Sequence, residues 1–112
     1  MEDLSVIAAT YEVHKKLIEL TTQVDKKYRY VLGEASVRHA SETLKQLLMA
    51  KHAPKPMKAA YLLLADAEAE LTALKLRTML ELHIANDTNI LKIQARLTEA
   101  RKQIGGWRKS VQ

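Results

Sequence analysis

Apolar residues return along this chain in steps of three and four, the spacing of one face of an α-helix. From about residue 4 to 24 the stripe reads Leu4, Ile7, Tyr11, His14, Ile18 and Thr21, widened by Leu17, Leu20 and Val24. From about 29 to 53 it reads Val37, Ala40, Leu44 and Leu47, with Leu32 and Leu48 beside it. From about 88 to 110 it reads Ile90, Ile93, Leu97, Ala100, Ile104 and Trp107, continued by Val111, and it passes through Gly105-Gly106 in register. The stretch from about 57 to 83 differs, because it carries two stripes. Ala60, Leu64, Ala67, Leu71, Leu74, Thr78 and Leu82 make one. Leu62, Ala69, Leu76 and His83 make the other at steps of seven, with Met79 and Leu80 filling it out.

The breaks between these stretches are short. Pro54-Lys55-Pro56 stops the second helix near Ala53, since two prolines so close cannot sit inside a helix and they hold the chain extended. Asp25-Lys26-Lys27 is polar and turns the chain, although with no Pro or Gly there a helix running on through Tyr30 also fits. Ala85-Asn86-Asp87 is a polar break in which Asn86 or Asp87 can cap the last helix. Four helices joined by such short connections stack antiparallel. The expected fold is therefore all-α, a single up-down-up-down four-helix bundle spanning residues 1–112.

A helix apolar over most of its circumference needs covering on two sides. A four-helix monomer covers one. The third helix therefore predicts a homo-oligomer, with Leu62, Ala69, Leu76, Met79 and Leu80 as the interface. Gly33 reads as a close helix–helix contact, and Gly105, Gly106 and Trp107 as packing positions where a neighbouring backbone comes near.

Composition agrees with helices. Gly occurs three times, Pro twice and Phe not at all, while Ala, Leu, Glu, Lys and Arg dominate. At 112 residues the chain can bury about two-thirds of its unfolded surface, enough for one core without a disulfide or metal. Cysteine is absent, which excludes disulfides, zinc–thiolate sites and thiol nucleophiles and fits a reducing compartment. No apolar run reaches the ~18 residues of a membrane-spanning helix, and the acidic start Met1-Glu2-Asp3 does not suit a signal or transit peptide. A cytoplasmic protein with no membrane partner is expected.

Candidate chemistry is sparse. The four histidines His14, His39, His52 and His83 fall on different helices, and no Glu-x-x-His pair of the kind used by di-iron bundles is present. Nucleophile elbows, phosphate loops and dinucleotide fingerprints are missing as well. The expectation is a protein without catalytic residues, metal or cofactor.

Charge carries the positive signal. The net charge is +5, and residues 88–112 hold six Lys/Arg against one Asp/Glu. Lys92, Arg96, Arg101, Lys102, Arg108 and Lys109 all lie off the apolar stripe there. Arg29, Arg38, Lys45 and Lys51 do so on the second helix, and Arg77 does on the third. A merely solvated face would carry both signs paired at i, i+4. A face nearly free of acids predicts a polyanionic partner bound through its phosphate backbone, without base readout and with strong salt dependence.

Three motifs carry a family resemblance: Lys27-Tyr28-Arg29-Tyr30-Val31-Leu32-Gly33, Leu76-Arg77, and the ending Leu97-Thr98-Glu99-Ala100-Arg101-Lys102-Gln103-Ile104-Gly105-Gly106-Trp107-Arg108-Lys109-Ser110. Together they resemble the accessory variability determinant (Avd) family of diversity-generating retroelements, which is related to the four-helix bundles encoded in ribosomal-RNA intervening sequences. The resemblance spans nearly the whole chain, and the Gly-Gly-Trp ending is its most specific part. It implies a barrel-shaped homopentamer with a basic surface that binds nucleic acid and the element's reverse transcriptase during mutagenic cDNA synthesis. It also implies that Arg77 and the bases of the last helix make those contacts. The chain departs from the pattern at Val24-Asp25-Lys26, which lacks a proline, and at His83-Ile84-Ala85-Asn86-Asp87. The alternative is an intervening-sequence-type bundle that binds RNA or acts as a structural assembly module.

Overall fold

The computed structural model describes residues 2–112, with side chains from Ser5 onward. Helix α1 is Glu2–Thr21 and α3 is Lys55–Leu82. The C-terminal helix α4 is Asp87–Ser110, unbroken through Gly105-Gly106. Between α1 and α3, residues 26–52 form α2, which opens with the short turn Lys26–Tyr28, widens into a π-helical segment Arg29–Glu34, and continues as Ala35–His52. The helices run up-down-up-down, α1 beside α2 and α4, and α3 beside α2 and α4. The result is an elongated four-helix bundle, 43 × 21 × 19 Å. No described helix is long and apolar enough to cross a membrane.

Local chemistry sets each corner. After α1 the chain turns over residues 22–25, Val24 buries itself in the core, and the Asp25 N–H donates to the Ile84 carbonyl at 3.1 Å. The helix therefore does not run on through Tyr30. Only Ala53 and Pro54 join α2 to α3, and Pro56 falls in the first turn of α3, where its missing N–H has no helical partner to lose. Lys58 Nζ donates back to the carbonyls of Ala50 at 2.8 Å and Lys51 at 3.1 Å, satisfying groups that the end of α2 leaves without partners. At the end of α3, His83 takes a left-handed conformation (φ 52°, ψ 45°). The His83 N–H reaches the Leu80 carbonyl and the Ile84 N–H reaches that of Met79, a Schellman closure. Asn86 caps α4 by accepting the Asn89 N–H at 3.0 Å.

The core shows which stripes point inward. On α4 the expected residues, Ile90 through Trp107, are all buried. On α1 the buried set is Val6, Thr10, Val13, Leu17, Leu20 and Val24, while Tyr11 and Ile18 are exposed. Ile7, His14 and Thr21 sit half-buried on the flank. Of the α1 residues read from the sequence, Leu17, Leu20 and Val24 therefore lie in the core, Ile7, His14 and Thr21 along its edge, and Tyr11 and Ile18 outside it, while Leu4 falls outside the described side chains. On α2, Ala40 and Leu47 are buried, Val37 and Leu44 half-buried, and Leu48 exposed.

Helix α3 reverses its expected arrangement. Leu62, Ala69, Leu76 and Met79, expected at a subunit interface, are 0% exposed and form the protomer's own core, with Leu80 half-buried against it. The opposite stripe is free: Leu64 is 50%, Leu71 39%, Leu74 49% and Leu82 48% exposed. The inward stripe includes Ala65, Ala69 and Thr72, facing a helix whose buried side contains Ala40, Thr43 and Ala50. Small residues on both helices let α2 and α3 pack closely, which four leucines in that seam would prevent.

Candidate nucleic-acid interface

The basic residues of α4 divide between two grooves. Lys92 and Arg96 face α1, where with Lys16, Glu19, Leu20, Gln23, Asn89 and Ile93 they line a groove of about 260 Å³. An Asn89–Gln23 side-chain hydrogen bond of 3.1 Å fixes α1 against α4 there. Lys16 lies 3.6 Å from Glu19, both well exposed. Lys92 and Arg96 have no carboxylate within ion-pair distance among the described residues.

Arg101, Lys102 and Arg108 line the other groove, between α3 and α4, with Asp66, Leu97 and Gly105. Lys109 lies on its outer margin beside Gly106 and Gln112. Arg101 makes a two-pronged bridge to Asp66, Nε to Oδ1 at 2.9 Å and a terminal nitrogen to Oδ2 at 3.2 Å, and approaches Glu70 at 3.7 Å. The hydrogen bond to Asp66 raises its guanidinium above its ordinary affinity for protons, partial burial works against this, and the charges of Asp66 and Glu70 reinforce it. Arg77 pairs with Glu81 at 3.2 Å on the exposed side of α3. Both arginines were expected to contact nucleic acid. Arg101's charge is largely committed inside the protomer, which leaves it a weaker candidate than Lys92 and Arg96, whereas the exposed Arg77–Glu81 pair holds Arg77 only weakly.

The expected packing residues also divide. Gly33 is buried in the π-helical segment, where an added Cβ would sit 2.9 Å from Thr21 Cγ2. Trp107 is buried in the core. Gly105 and Gly106 face outward with nothing among the described residues within 4 Å of an added Cβ.

Sequence reasoning missed Lys16. It lies in a segment of slightly negative charge, and only the α1/α4 packing brings it to Lys92 and Arg96. Its position one turn before Leu20 on α1 was the available signal, since such a residue flanks the buried stripe. The histidines do not converge. His39 Nδ1 bonds Glu68 Oε2 at 2.8 Å, His83 lies 3.4 Å from Asp87, and no group of three metal-capable side chains gathers among the described residues.

The fold and its two grooves define a four-helix bundle with cationic flanks and an uncovered apolar ridge. A solved structure shares the bundle fold over nearly its full length: a protein of unknown function from the S23 ribosomal protein family of Bacteroides thetaiotaomicron. It superposes with a TM-score of 0.87 at 19% identity, covering 97% of this chain and 99% of that one. At that identity the likeness is one of fold. No protein-family model matches the chain, and no curated protein matches it.

Proposed function

We propose that this chain is a non-catalytic bundle that binds the phosphate backbone of RNA or DNA, assembles with copies of itself, and serves as the accessory protein of a diversity-generating retroelement. It holds nucleic acid and the element's reverse transcriptase together in the cytoplasm during mutagenic cDNA synthesis, and the polymerase supplies the chemistry. No cofactor enters this role. The observation that carries the reading is the α1/α4 groove, where Lys92 and Arg96 lie without a carboxylate partner among the described residues, beside Lys16, which Glu19 pairs. Phosphate contacts of that kind release counterions and need no base readout.

Self-association is assigned to the outer ridge of α3, from Ala60 through Leu64, Leu71 and Leu74 to Leu82. At 1.5 Å per residue this ridge is about 33 Å long. A continuous apolar strip of that length is unfavourable in water and favourable against another copy. The pentamer rests on the family resemblance. A closed ring would repeat the cationic groove once per protomer.

RNA titration at rising salt tests the reading. The logarithm of affinity should fall linearly with the logarithm of salt, by about 0.7 per single-strand phosphate neutralised. Lys92→Gln and Arg96→Gln should each reduce the slope by about 0.7 while the helical circular dichroism stays unchanged. Negligible RNA binding at low salt would refute it.

The shared fold with a protein of the S23 ribosomal protein family favours a second reading, an intervening-sequence-type bundle that binds RNA or serves as an assembly module. The neighbouring genes decide between them: a reverse transcriptase and template repeat for the first, a ribosomal-RNA operon for the second.

A further inference from the structure

Two cation–ring pairs occupy the start of α2. Lys27 Nζ lies 5.1 Å from the Tyr28 ring centroid, and the Arg38 guanidinium carbon lies 5.3 Å from that of Tyr30. The two rings differ in access. Tyr28 is half-buried against the core. Tyr30 is 65% exposed, more than any other large apolar side chain among the described residues, and Val31 beside it is also exposed.

The wide turn accounts for this. Leu32, Gly33, Ala35 and Ser36 are all buried, so the helix is held inward along two adjacent faces there. The residues just before them, Tyr30 and Val31, are left pointing to water. Such π-helical turns inside α-helices recur at functional sites.

The charge around Tyr30 has one sign in excess. Lys26, Lys27, Arg29 and Arg38 lie within this stretch, and none has a carboxylate within ion-pair distance among the described residues. Asp25 and Glu34 are its only acids. Glu34 shares with Arg38 a shallow groove between α1 and α2, floored by Ile18, Thr21 and Val37. Arg29 spends part of its guanidinium on the Val24 carbonyl at 3.1 Å.

We infer that Tyr30 and Arg38 form a stacking site for an unpaired base, so that the nucleic acid this protein takes is single-stranded. The inference rests on the nucleic-acid reading above and adds to it the class of strand. An exposed phenol ring beside a guanidinium plane offers π surfaces on which any base can stack, and covering them removes apolar area from water. Lys26 and Lys27 are placed to meet the flanking phosphates. A duplex keeps its bases stacked inside, out of reach of the ring, and engages only the cations.

The test compares a labelled oligouridine with a blunt duplex of equal length on the full chain. Tyr30→Ala should weaken single-strand binding by about 5- to 150-fold, the range set by loss of one aromatic–base stack, and leave duplex binding unchanged. Tyr30→Trp should restore single-strand affinity, which controls for damage to the turn. Unchanged single-strand affinity in Tyr30→Ala, or an equal loss on both ligands, overturns the stacking site. If such a result accompanies salt-dependent binding that still needs Lys92 and Arg96, the parent reading stands alone. If the wild-type chain binds neither ligand at low salt, both fall.

Discussion

Glycine illustrates how one residue type takes opposite roles in a single chain. At Gly33 a methyl group would collide with Thr21, and Thr21 is held in place because its hydroxyl donates to the Leu17 carbonyl at 2.8 Å and its branched Cβ is stiff. Gly33→Ala should destabilise the protein by about 1–3 kcal/mol, and Thr21→Ala should recover much of that loss. Denaturant melts of the two single variants and the double variant measure the coupling. At Gly105 and Gly106 nothing among the described residues approaches, so alanine at either should raise protomer stability by about 1 kcal/mol through reduced backbone entropy in the unfolded chain. A more stable protomer that no longer self-associates would show that another copy uses the bare backbone. Gly33 was legible as a close contact because it interrupts an apolar turn. The Gly105-Gly106 pair was not, because a missing side chain does not say whether anything fills its place.

Helices α3 and α4 show what periodicity can and cannot settle. On α4 one face is apolar and the rest polar, so the only inward orientation is the one observed. On α3 two faces are apolar, and on α1 the buried Val6, Thr10 and Val13 lie beside the stripe read from the sequence, so steps of three and four do not distinguish inside from outside. Residue size does: the seam against α2 takes the stripe with Ala65, Ala69 and Thr72 and rejects the one with Leu64, Leu71 and Leu74. The end of α3 holds a second lesson, since a histidine stands where helices favour glycine. His83 at φ 52° bears the crowding of Cβ against its own backbone. His83→Gly should therefore stabilise the protein by roughly 0.5–1 kcal/mol, net of its exposed pairing with Asp87, read as a rise in midpoint with an unchanged denaturant slope.

Across the whole molecule, charge counted along the chain is a poor guide to charge displayed on the surface. The basic C-terminal stretch is real, but folding ties Arg101 to Asp66, separates Lys92 from Lys102 onto different flanks, and recruits Lys16 from elsewhere. Contacts between helices decide this, and they lie beyond what spacing within one helix reveals. That α3 carries apolar residues on two faces was legible; which face stays exposed was not. Leu64→Glu with Leu71→Glu should leave the helical signal intact and yield monomers by light scattering, whereas Leu62→Glu should unfold the protomer, because it places a charge in the core. Monomeric wild-type protein in dilute buffer would refute the role given to the ridge.

The two-residue connection at Ala53-Pro54, clamped from behind by the Lys58 ammonium, makes α2 and α3 a single stiff strut. The bend over residues 22–25 and the turn over 83–86 are longer and are tied to each other through one backbone bond from Asp25 to Ile84. That bond and the Asn89–Gln23 pair tie α1 to α4 at one end of the bundle, and Ser5 donating to Gln103 at 3.1 Å ties them toward the other, so the α1/α4 groove is braced at both ends. A trench held in that way presents its cations at a fixed spacing.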